Sequence, residues 1–205
     1  MNQITLEFLK FTVDSAFSLA APAFASLRQT ASKHGVKKQY YGVLDDDPNQ
    51  LVWCIQWPGI SQPAELADQS GDFRQKLNAL DVKSQPTSWL LPFRFEEEIL
   101  PALNAPMTEF AFVILKDTTN TGMILDSLHR TFSDCYYAKG FTGGSWGIAT
   151  NNDRVCLYLL GWESRAHHRE YSKSPIFALE IDNLAPNFAP GSVGLFSKLA
   201  RESTA

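Results

Sequence analysis

The sequence predicts an α+β fold: two tandem ferredoxin-like β-α-β-β-α-β repeats packed as an intramolecular α+β barrel. The first observation behind it is internal similarity at an offset of 105 residues. Tyr41-Gly42 falls on Trp146-Gly147, Trp53 on Tyr158 and Trp57 on Trp162, while Val43, Val52 and Ile55 fall on Ile148, Leu157 and Leu160. The turn DDDPNQ (45–50) takes the place of TNNDR (150–154). In a chain with only five tryptophans, such agreement marks a duplication. The second observation is that both halves parse into the same order of elements. The third is that the strands carry apolar residues at both parities. One sheet with helices on a single face would leave its other face bare, and a second unit would cover it.

Taken in order, ITLEFLKFTV (4–13) is rich in β-branched and aromatic residues and reads as a strand. PAFASLRQTASKHG (22–35) has a proline start and a glycine stop suited to a helix. QYYGVL (39–44) and QLVWCIQW (50–57) flank the Asp/Pro/Asn turn as a hairpin. A helix over 63–80, weak at Ser70-Gly71, and a strand over PTSWLLPFRF (86–95) complete a first repeat at 1–95. EEEILPALNAP (96–106) reads as a connector. The second repeat, 107–205, follows with a strand over 108–116, a helix over 122–139, a hairpin over 143–162, short helices over 164–184 and a closing strand over 191–199.

Composition limits the function classes. The 205 residues are 44% hydrophobic and 20% charged, the balance of an ordinary soluble globular chain. A net charge of −4, with no run of Arg or Lys, excludes the electrostatic footprint that nucleic acid requires. Cys54, Cys135 and Cys156 form neither a disulfide framework nor a C-x-x-C pair, so a reducing, cytoplasmic setting is expected. SAFSLAAPAFASL (15–27) mimics the apolar part of a signal peptide but follows Glu7, Lys10 and Asp14 rather than a basic start. No run approaches the ~18 apolar residues needed to span a bilayer. No phosphate loop, dinucleotide fingerprint, nucleophile elbow or metal-ligand spacing is present, so neither metal nor cofactor is expected.

The residues that could carry chemistry cluster at VCLYLLGWESRAHH (155–168). His168 can take a proton near neutral pH, or it can be a solvated residue in the first turn of a helix beside His167. Glu163, next to Trp162, could itself be the base. Trp162 with Tyr158, and Trp57 with Trp53, place an aromatic pair on one face of a strand in each half, which serves a core as readily as a cleft. Trp146 and Tyr41 stand at matching places before a glycine, and the Tyr41 hydroxyl could orient a ligand. Arg94, in WLLPFRF, could hold a carboxylate or enolate, or pair with Glu96, Glu97 or Glu98. His129 and His34 read as a helix-surface residue and a helix-end residue.

The string Gly161-Trp162-Glu163-Ser164, then His168, then Ser174-Pro175-Ile176-Phe177 resembles the strand-to-helix corner of the dimeric α+β barrel superfamily. Within it the similarity is to antibiotic-biosynthesis-monooxygenase-like domains, including tandem fungal forms. The first half lacks the corner, with Pro63 where the second has His168. The resemblance implies a cofactor-independent oxygenase acting on a hydrophobic phenolic or polyketide-like molecule by base-assisted anion formation. A non-oxidative cyclase, isomerase or lyase, or a non-catalytic binding barrel, would use the same residues. The expected partner is an aromatic small molecule, with no nucleic acid and no membrane. A duplicated chain should exist as a monomer, with further dimerisation open.

Overall fold

The computed structural model describes residues 3–57, 68, 71–83 and 85–203. It divides into two compact units, 1–95 with 197–205, and 96–196. The first unit holds strand β1 (Ile4–Thr12), helix α1 (Pro22–Lys33), β2 (Lys38–Val43), β3 (Gln50–Trp57), α2 (Asp72–Leu80) and β4 (Thr87–Phe93). A 3₁₀ turn (Glu96–Glu98) and the short helix α3 (Leu100–Leu103) open the second. There follow β5 (Met107–Ile114), α4 (Thr121–Asp134), a 3₁₀ turn (Cys135–Tyr137), β6 (Phe141–Ile148), β7 (Val155–Trp162), α5 (Arg165–Tyr171), α6 (Pro175–Leu184) and β8 (Val193–Ser197). Strand β9 (Ala200–Ser203) ends the described chain.

Each sheet is the expected split βαβ unit. The first runs β4-β1-β3-β2-β9 and the second β6-β7-β5-β8, so the four strands of each repeat are ordered alike. The hairpin turns close by the same device: Asp47 Oδ1 accepts from Asn49 N at 3.1 Å and Asn152 Oδ1 from Arg154 N at 3.1 Å. The α1 stop is Gly35, whose φ of 91° is the left-handed conformation a helix end requires. Asn120 and Ser174 cap α4 and α6 by accepting from Gly122 N and Phe177 N.

Alternation along the strands sends one face to the helices. In the first unit Leu9, Phe11, Leu51, Trp53, Ile55 and Trp57 meet Phe24 and Leu27 of α1 and Phe73 and Leu77 of α2. In the second, Met107, Val113, Tyr158, Leu160 and Trp162 meet Leu128 of α4, Tyr171 of α5 and Leu184 of α6. Leu6, Phe8, Val52 and Cys54, of opposite parity in the first sheet, are buried too, and every residue of β7 is buried. The stretch that mimics a signal peptide supplies Phe24 and Leu27 to the first core.

Four expectations are corrected. The 96–106 segment is more than a connector: its turn and α3 bury Ile99, Ala102 and Leu103 in the second unit. The closing strand expected over 191–199 stops at Ser197, and the chain then returns to the first sheet, where β9 pairs antiparallel with β2 (Tyr40 opposite Arg201). The second compact unit accordingly ends at Phe196, and 197–205 group with the first. Strand β4 ends at Phe93, leaving Arg94 in an exposed bend; Pro92, which has no N–H to donate, sits where an edge strand tolerates it. Of the helix expected over 63–80, Asp72–Leu80 is observed, while Pro63 lies outside the described residues.

Candidate functional site

A cavity of about 420 Å³ lies between the sheet and the helices of the second unit. Ala111, Val113, Leu160, Phe177 and Phe196 give it an apolar lining, a size and character suited to a small aromatic molecule. Trp162, Tyr158 and His168 form part of its wall, together with Glu109, Tyr171 and Glu180.

Glu109 sits in the middle of β5, opposite Leu160, and is 4% exposed. A carboxylate so placed needs donors for both oxygens. The Trp162 indole Nε1 donates to its Oε2 at 2.8 Å, and His168 Nε2 stands 3.3 Å from its Oε1. The imidazole is held edge-on to the Trp162 ring, centroids 5.3 Å apart, and lies 4.9 Å from the Phe196 ring. His168 thus presents Nε2 to the carboxylate, an arrangement in which a carboxylate can orient an imidazole.

Glu180, on α6, is 4% exposed and accepts a hydrogen bond from the Tyr171 hydroxyl at 3.2 Å. Burial first, then the neighbouring Asp134 carboxyl, push its pKa up to about 8, and the Tyr171 bond offsets them in part. Burial likewise raises the Tyr171 and Tyr158 hydroxyls and the Cys135 thiol. Tyr158 donates to the Leu128 carbonyl at 2.9 Å, so its hydroxyl is engaged with α4.

The remaining sequence candidates lie elsewhere. Glu163 turns outward, its side chain 61% exposed and 3.7 Å from His167 Nε2. It does not line the cavity. Trp146 stacks on Tyr158 at 6.0 Å and donates to His129 Nδ1 at 3.2 Å, one layer behind the wall. Trp57, Trp53, Tyr41 and Arg94 belong to the first unit. There Trp53 is wedged against Phe24 (5.4 Å) and Phe73 (5.9 Å) and donates to Gln39, and Tyr41 lies under the Arg28 guanidinium.

Glu7 is the first-unit counterpart of Glu109. It faces Ile55, two residues before Trp57, as Glu109 faces Leu160, two residues before Trp162. Trp57 Nε1 donates to Glu7 Oε2 at 2.9 Å, but here Arg74 (3.1 Å) and the Ser88 hydroxyl (2.7 Å) serve Oε1. The Trp-Glu pair is thus duplicated and its third member differs: a guanidinium in one unit, an imidazole in the other. Sequence reasoning missed both carboxylates. The signal was the dipeptide Glu-Phe inside an apolar strand, at 7–8 and again at 109–110. Among the described residues no group of three or more His, Cys, Asp or Glu is placed to hold a metal ion, and no helix is long and apolar enough to cross a membrane.

No family model matches the sequence, and no curated protein matches it. Solved structures do match its fold. An anthrone oxidase-like protein aligns over 99% of this chain and 94% of its own at 11% identity, with a TM-score of 0.67. A ferredoxin-fold protein from Listeria monocytogenes related to antibiotic biosynthesis monooxygenases aligns over 95% of this chain and 94% of its own (12% identity, TM-score 0.50). A major regulator of staphylococcal pathogenesis aligns over 94% of this chain and 98% of its own (10% identity, TM-score 0.54). The neighbours thus include ferredoxin-fold, antibiotic-biosynthesis-monooxygenase-like proteins, and at these identities the likeness concerns the fold.

Proposed function

We propose that the second unit is a cofactor-independent oxygenase of fused-ring phenols or ring ketones, working by base-assisted anion formation. The observation that carries this reading is half-buried His168 set against the buried Glu109-Trp162 pair in the wall of an apolar cavity. His168 Nδ1 takes a proton from a phenol or an activated methylene, and Glu109 stabilises the imidazolium that results. Trp162 holds the carboxylate, and the apolar walls exclude water while the electron-rich carbanion meets dioxygen. A cyclase or isomerase would stop at the enolate, and a binding protein would not reach it.

The test uses 1,8-dihydroxyanthrone, the ring ketone that the likeness to an anthrone oxidase-like protein brings to this chain. Its methylene would lose two hydrogens and gain one oxygen atom, the other leaving as water, so one dioxygen disappears per quinone formed. Oxygen uptake matching quinone absorbance is the expected result, falling about 10²–10⁴-fold in His168→Ala. Turnover that is unchanged in His168→Ala would refute the assignment. Conversion without oxygen uptake would move the protein to the non-oxidative class.

A further inference from the structure

We propose that the Glu180 carboxyl is the proton donor of this cavity, delivering its proton to the carbonyl oxygen of a bound ring ketone while His168 removes one from the adjacent carbon. The proposal rests on the reading of the cavity as a base-assisted site and adds the acid that the base requires.

The geometry that points to it is a carboxyl set between two spaces. Glu180 lines the apolar cavity together with His168, and it also lines a separate recess of about 130 Å³ walled by Asp126, Ser127, Arg130, Thr131 and Asn183. Thr131 is likewise shared by the two spaces. An acid in that position can protonate a ligand on one side and be recharged by water from a polar recess on the other. Tyr171 fixes it by hydrogen bond, and the Tyr171 ring stands 5.9 Å from Trp162, so acid and base belong to one continuous wall. The titratable and charged groups around it are Asp126, Arg130 and Asp134 of α4, Cys135 of the following turn, Tyr158 of β7 and Tyr171 of α5. Of these, Asp134 holds it in the protonated form, and burial does so more strongly.

The step balances without a redox partner. The carbon–hydrogen bond beside the carbonyl breaks and its proton goes to His168 Nδ1. The electron pair becomes the carbon–carbon double bond, and the oxygen takes the Glu180 proton to give the enol. Solvent then reprotonates Glu180 and deprotonates His168.

Deuterium uptake by 2-tetralone in D₂O, followed by NMR, reads this step directly, and quenching of tryptophan fluorescence reads binding of the same ketone. The wild-type protein is expected to exchange the ketone faster than buffer alone and His168→Ala to lose that exchange. Glu180→Gln, which keeps the shape of the neutral acid, is expected to slow it about a hundredfold while leaving affinity within about threefold. The wild-type rate is further expected to fall as pH rises through about 8, where the acid ionises. Exchange at the wild-type rate in Glu180→Gln with none in His168→Ala would overturn the role of Glu180 and leave the base standing. A wild-type rate that keeps climbing through that pH would overturn it even if the variant failed to fold. Exchange no faster than in buffer would overturn both readings.

Discussion

Glu109 and Glu7 are carboxylates inside apolar strands, tolerable because each accepts from an indole N–H and faces a second polar group. Replacing Trp162 by Phe keeps much of the ring packing but leaves Glu109 Oε2 without its indole donor. A loss of about 1–3 kcal/mol is expected, read from denaturant unfolding. Glu180 adds a pH dependence of opposite sense to that of a salt-bridged acid. Its folded pKa, about 8, lies above the ordinary carboxylate value of 4.5, so the folded state binds more protons between those values. Stability should therefore decline as pH rises from about 4.5 to about 8, and the Tm of Glu180→Gln should decline less over that window. At this scale the sequence disclosed His168, Trp162 and Tyr158 but not their partners. Glu109 and Trp162 are 53 residues apart in the chain, and only the strand register brings the two together.

Elements were legible where their signals were local. Strands β1, β3, β5 and β7 announced themselves by β-branched and aromatic runs, and the hairpins by Asp and Asn turns. Helix α3 and strand β9 were not legible, because a four-residue helix has no period and β9 is defined by pairing with β2, far back in the chain. The packing of α3 explains Gly161: a Cβ there would stand 2.7 Å from the Pro101 carbonyl oxygen and 2.9 Å from Ala102 Cα. Gly161→Ala should cost about 1–3 kcal/mol, because the α3 backbone as well as the Thr142 hydroxyl would have to give way. In the first unit Arg74 of α2 neutralises buried Glu7, and Arg74→Met should cost about 3–5 kcal/mol by leaving that charge without its guanidinium. Thermal melts of the two variants would check both expectations.

On the scale of the whole molecule, the duplication was legible because Trp57 and Trp162 survive in register, while the exchange of guanidinium for imidazole beside the paired carboxylates was not. Both units keep the Trp-Glu pair. A guanidinium on Glu7 stays charged at all ordinary pH and cannot serve as a base, whereas an imidazole beside Glu109 can. The proposed base therefore has its place in the second unit, and the measurement that tests this most directly is the absorption spectrum of bound 7-hydroxycoumarin, whose phenol and phenolate absorb at different wavelengths. In a buffer acidic to the free phenol's own pKa, the wild-type protein should bind one molecule per chain with a visible phenolate band. The band should be lost in His168→Ala and retained in Arg74→Lys. A bound spectrum that is wholly that of the neutral phenol, or a phenolate band that survives in His168→Ala, would contradict the account.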